Sequence, residues 1–152
     1  MSERTHGRAL PPIDVALAAA AAGTISGLPS TVWAAATRRN VLEAARAAGT
    51  LIPGRRHRPG LVAGAVVHAI LSVFWTASIA AAMRRRRLRL VEGAAAGLAI
   101  AALDLTVVGR RYPAIRALPA LPQWCDHALF GATAAAFLAR RSGTSVGQRT
   151  RR

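Results

Sequence analysis

The sequence predicts an all-α protein, a bundle of four transmembrane helices. Three observations carry this expectation. The 152-residue chain is 53% hydrophobic but only 5% aromatic, which is low for a water-soluble core of this size. Four alanine-, leucine- and valine-rich runs, near residues 13–36, 60–83, 90–108 and 124–139, approach or reach the roughly 20 residues a spanning helix needs. All 21 cationic residues are arginine, and they gather at the ends of those runs: Arg38–Arg39, Arg55–Arg56, Arg84 to Arg87, Arg110–Arg111 and Arg140–Arg141. Charges that bracket lipid-length segments are the mark of membrane topology.

The net charge of +15 and pI near 12.0 would also suit a nucleic-acid binder. The placement of the arginines argues against it, because they flank apolar runs and do not line one amphipathic surface. No nucleic-acid partner is expected. The expected partners are the bilayer, anionic lipid head groups, and either a second copy of the chain or another membrane protein.

The first run, "IDVALAAAAAGTISGLPSTVWAAA", contains Pro29. Proline lacks an N–H and clashes with the preceding turn. The helix is therefore expected either to kink and continue to Ala36, or to stop near Gly27 and restart. Thr24, Ser26, Ser30 and Thr31 are at hand to bond the freed backbone groups. The run has signal-peptide features, with Arg4 and Arg8 ahead of it and alanines at its end. Asp14 at its head and the distance to those alanines argue against cleavage. In the first connection, Val41, Leu42 and Ala45 share a helical face, with Arg38, Arg39 and Arg46 around the rest, as in a short interfacial helix.

The second run is a clean span, and the third has an acid near each end, Glu92 and Asp104. The fourth is short and opens on Asp126 and His127. Residues 1–141 are expected to form one membrane-embedded domain, and 142–152 a disordered basic tail. Four spans put the N-tail, the middle loop and the C-tail on one side, with 12 arginines against 9 on the other. The compact "RRRRLR" favours that side as cytoplasmic, in a multi-pass protein of the cell (inner or plasma) membrane.

Small residues recur at spacing four: Gly23 and Gly27, Gly60 and Gly64, Gly93 and Gly97, and Gly131 with Ala135. Membrane helices associate by close packing, which such residues permit. On the second helix the series Gly60, Gly64, His68, Ser72, Thr76 makes a stripe of small and polar groups, so His68 is expected to face protein. A carboxylate such as Asp104 at bilayer depth costs roughly 2.5–3.5 kcal/mol even on the lenient scale, so it needs a mate. Arg110, Arg111, His68 and His127 are the candidates. Asp126 fits the acid preference of a helix start.

Two readings follow. In one, Arg110, Arg111 and Arg116 pair with Asp104 and Asp126, while Pro113, Pro119 and Pro122 stiffen the link in extended or turn conformations and Trp124 anchors at the interface. That is a polar clasp between the third and fourth helices. In the other, His68, Ser72, Asp104, Asp126 and His127 form an intramembrane cluster that moves a proton or ion. Catalysis is not expected, because no nucleophile elbow, His-Glu-x-x-His, P-loop or dinucleotide fingerprint occurs. No metal site and no cofactor are expected either. Cys125 is the only cysteine, and of the four histidines His6 and His57 sit in polar segments.

The block "GLAIAALDLTVVGRRYPAIRALPALPQWCDHALFG", with "GTISGLPST", "AARAAGTLIPG" and the His68/Ser72 helix, resembles a group of small uncharacterised bacterial integral membrane proteins. The resemblance covers roughly residues 20–138. It implies a four-helix integral membrane protein and brings no activity, so no residue role is carried over. The functional expectation is a small membrane protein acting through helix packing or partner contact. The alternative is a transporter or proton/ion relay using Asp104, His68 and His127.

Overall fold

The computed structural model describes residues 10–83 and 89–147, and among them every regular element is helical. Met1, the early arginines, Arg84 to Arg87 and residues 148–152 lie outside the described residues. Helix α1 runs Pro12–Ser26 and α2 Leu28–Ala36, and together they form one 25-residue apolar stretch. The first run thus divides, with Gly27 at the joint and Pro29 in the first turn of α2. There the missing proline N–H is harmless. The hydroxyls of Ser26, Ser30 and Thr31 donate to the carbonyls of Gly23 and Gly27 at 3.2, 3.2 and 2.7 Å. Helix α2 ends in a left-handed turn at Arg38 (φ 56°), with the Arg39 N–H donating to the Ala34 carbonyl at 2.8 Å. Glycine is the usual residue at such a cap.

The first connection contains α3, Glu43–Ala48, which packs on the start of α4, Leu61–Met83. A Cβ on Gly64 would overlap the Ala45 carbonyl, and one on Gly49 would lie 2.5 Å from the Gly60 carbonyl oxygen. Helix α5, Leu90–Ala101, is capped by Glu92, whose carboxylate accepts from the Arg89 N–H at 2.8 Å. It continues as a π-helix over Ala102–Val108 and a 3-10 turn over Gly109–Arg111. After the four-residue α6, Pro113–Arg116, comes α7, Ala120–Gly147.

Several expectations need correction. Short helices occupy the first and third connections, so the described residues hold more than four helices. The third-to-fourth link is largely helical: Pro113 opens α6 and Pro122 sits within the first turn of α7. Helix α7 starts four residues before Trp124 and runs to Gly147.

Three stretches are long and apolar enough to cross a bilayer: Pro12–Ala36, Leu61–Met83 and Leu90–Arg111. At 1.5 Å per residue the 23 residues of α4 extend about 35 Å, matching a hydrocarbon core of about 30 Å. Helix α7 is the hub, touching α1, α2, α4 and α5, while α4 and α5 meet only marginally. The core joins Ala18 and Ala22 to Ile79, Ile100, Phe130, Ala134 and Leu138. The outward faces carry large apolar side chains: Val62 and Val91 are 80% exposed, Ile70 62% and Phe74 56%. Such surface is unfavourable in water at about 25 cal/mol per Å² and costs nothing against lipid tails.

Gly27 has no neighbouring atom within 4 Å of a built Cβ, and its φ of −76° is ordinary helical backbone. Gly27→Ala is therefore expected to raise stability by about 0.4–1 kcal/mol, by restricting the unfolded chain. Unfolding in mixed detergent micelles measures it; a loss of stability would show that Gly27 is needed for packing.

Candidate functional site

The polar groups of the apolar helices meet where α2, α5 and α7 converge. Asp104 lies in the π-helical stretch that continues α5. The Gly109 N–H closes that stretch onto the Asp104 carbonyl, and the Thr106 hydroxyl donates to the Ala102 carbonyl. A Cβ on Gly109 would lie 2.8 Å from the Asp104 carbonyl oxygen and 2.9 Å from Ile115. The widened turn therefore depends on glycine there. Such π segments are frequent at functional positions, because the extra residue re-aims side chains.

The Asp104 carboxylate faces His127 of α7, with Oδ2 3.6 Å from Nε2 and both side chains less than a quarter exposed. That is an ion-pair distance and too long for a hydrogen bond. His127 Nδ1 lies 2.8 Å from the Gln123 carbonyl oxygen, one turn back. A carbonyl only accepts, so Nδ1 carries a proton. Nε2 is then the ring atom turned to Asp104. The contact is attractive when one further proton resides on Nε2 or on the carboxyl.

Asp126, the next residue, serves a different helix. Its Oδ1 accepts from the Ser30 N–H at 2.9 Å. Ser30 is the third residue of α2, whose own cap position, Gly27, has no side chain to bond the free N–H groups. Asp126 therefore caps α2 across the bundle, and its charge lies at the positive end of that helix. It is not a cap for its own helix, which starts six residues earlier at Ala120.

His68 is an exposed residue of α4 whose ring reaches across to α1, with Nε2 2.9 Å from the Gly23 carbonyl oxygen. The N–H donates, so this ring carries its proton on Nε2. It is within electrostatic reach of Asp126. Ser72 is buried on the α1–α4 seam, with its hydroxyl 2.8 Å from a Cβ built on Gly23. The five residues grouped from the sequence thus separate into Asp104, Asp126 and His127 at the junction, His68 at its edge, and Ser72 on the neighbouring seam.

The expected arginine clasp has a different composition. Arg110, Arg111 and Arg116 are exposed and make no ion pair among the described residues. The mate of Asp104 is His127. An arginine–aspartate contact does occur at the opposite end of the bundle, where Arg141 Nη1 lies 3.6 Å from Asp14 Oδ1 and stacks 5.3 Å over the Phe137 ring. The glycines divide as well. Gly93, Gly97 and Gly131 form the α5–α7 seam, with Gly97 against the His127 carbonyl and Gly131 against the Gly93 carbonyl. Gly23 and Gly64 pack closely, while Gly27 faces open space and Gly60 meets chiefly the Arg55 side chain. Gly49 and Gly109 were missed, because neither belongs to a spacing-four pair with another glycine in an apolar run.

Among the described residues no group of three His, Cys, Asp or Glu side chains is placed to hold a metal. Compared with known proteins, the chain matches no family, no curated protein and no solved structure.

Proposed function

We propose that the chain is a four-span integral membrane protein that acts without catalysis, as a tightly sealed scaffold presenting a basic face at one bilayer surface. The fourth span is α7. Its 28 residues extend roughly 42 Å, long enough to cross. It is less apolar than the other three because it is the interior helix. Phe130, Gly131, Ala134, Ala135 and Leu138 are buried against neighbours, and Asp126 and His127 are spent on α2 and α5. A helix surrounded by helices does not need a lipid-compatible surface all round. This arrangement supports both termini on one side, the arginine balance favouring the cytoplasm.

One observation carries the reading: the ionisable groups at the junction are each engaged by protein. Asp126 holds the Ser30 N–H, His127 holds the Gln123 carbonyl and Asp104, and His68 holds the Gly23 carbonyl. Mated groups of this kind lock helix positions. Asp104→Leu is expected to cost about 1–3 kcal/mol, because it leaves the imidazole facing hydrocarbon, whereas Asp104→Asn keeps a polar mate and costs less. Folded yield and the unfolding midpoint in mixed micelles measure both; equal stability of the leucine variant and the original protein would defeat the locking role.

A second reading, a proton relay, is favoured by the 3.6 Å approach of Asp104 to His127, with Asp126 and His68 nearby. Proteoliposomes loaded with a pH-sensitive dye and driven by a potassium diffusion potential separate the two. The scaffold predicts leakage equal to empty vesicles. Flux above that level, abolished by His127→Gln, would establish the relay instead.

A further inference from the structure

At the α3 end of the bundle, a cleft of about 490 Å³ opens between α3 and α6. Arg39, Glu43 and Arg46 line one side, and Ala47, Ala114 and Ala117 supply small apolar walls. Arg39 is held by Glu43, with Nη2 to Oε1 at 3.1 Å and Nε to Oε2 at 3.3 Å. Arg46, one helical turn on from Glu43, makes no ion pair among the described residues and is exposed. The cleft therefore offers one uncommitted guanidinium and the free N–H groups of a second, against a single carboxylate.

Position decides the occupant. Helix α3 sits on the start of α4, and α6 follows the end of α5, so the cleft lies at the ends of two spanning stretches. Those two helices touch only marginally. The exposed Leu61 and Val62 at the start of α4, and Val107 and Val108 at the end of α5, flank this level. In the four-span reading this end faces the side opposite the termini, and a basic cleft at head-group depth there suits anionic lipid because the planar guanidinium fork matches phosphate oxygens.

We infer that this cleft seats the phosphate-bearing head group of an anionic phospholipid, with Arg46 as the principal contact, Arg39 as the second, and the acyl chains running down between the ends of α4 and α5. The inference rests on the membrane-scaffold reading and names the lipid site within it.

The test measures retention of phosphatidylglycerol over phosphatidylcholine, by native mass spectrometry of the full chain released from nanodiscs of defined composition. Arg46→Ala is expected to weaken phosphatidylglycerol binding about tenfold, the loss of one charge-assisted phosphate contact. Glu43→Gln frees Arg39 and is expected to strengthen binding about threefold. Arg56→Ala, at the same end but outside the cleft, is expected to leave it unchanged. An equal loss for Arg56→Ala and Arg46→Ala would mean diffuse surface attraction and overturn the site, while leaving the basic-face reading intact. No preference for phosphatidylglycerol in any variant would overturn both. Inorganic phosphate at equal concentration is expected to displace little lipid; efficient displacement would make soluble phosphate the ligand and end the lipid assignment.

Discussion

Gly131→Ala is expected to unfold the bundle under conditions where the original protein is stable. The added methyl would overlap the Gly93 carbonyl oxygen and come within 2.6 Å of the Gly97 nitrogen and 2.9 Å of its Cα. All three obstacles are backbone, so no rotamer change relieves them. Helices α5 and α7 must move apart along their seam, the most extensive helix contact among the described residues. Overpacking typically costs 1–3 kcal/mol, and a backbone clash sits at the upper end, about 3 kcal/mol. Against a total stability of about 5–15 kcal/mol, that is a large share. Gly97→Ala meets the His127 carbonyl in the same way and also shifts the Asp104–His127 pair. Unfolding midpoints in mixed micelles should fall sharply for both. An unaltered midpoint for Gly131→Ala would mean that α5 and α7 do not pack through this seam.

Asp126→Ala is the second large effect. The Ser30 N–H donates to Asp126, and α2 has no side-chain cap at its own N-terminal cap position. The variant leaves a part-buried donor without this acceptor and removes a negative charge from the positive end of a helix. The expected cost is about 1–3 kcal/mol. Asp126→Asn retains an acceptor oxygen and should lose distinctly less. Hydrogen exchange distinguishes this role from general damage: the Ser30 amide should exchange much faster in the alanine variant, while amides in the middle of α4 keep their rates. Uniform acceleration along all helices would refute the cross-bundle cap.

The sequence disclosed the apolar runs well, because lipid imposes a composition that reads directly from residue types. Gly93 and Gly97, and Gly131 with Ala135, stand at the spacing that puts small residues on one helix face, but spacing alone does not say which helices they join. What the sequence hid depends on contacts between distant segments. Asp126 looked like a cap for its own helix, since nothing local reveals that α7 begins at Ala120 or that α2 lies across from it. The π stretch around Asp104 has no signature in "ALDLTVVG", and it turns the carboxylate toward His127 rather than toward the arginines that follow. Gly27 shows the converse error: a spacing-four glycine that marks the joint between α1 and α2 and packs against nothing.

The central claim is that α7 crosses the bilayer although it is the least apolar of the long helices. Reporters fused to the two ends of the chain test this directly, using a pair such as green fluorescent protein and alkaline phosphatase that are active on opposite sides of the membrane. Four spans predict that both ends report the same side, the cytoplasm. Ends reporting opposite sides would leave only the three apolar stretches crossing and would contradict the account.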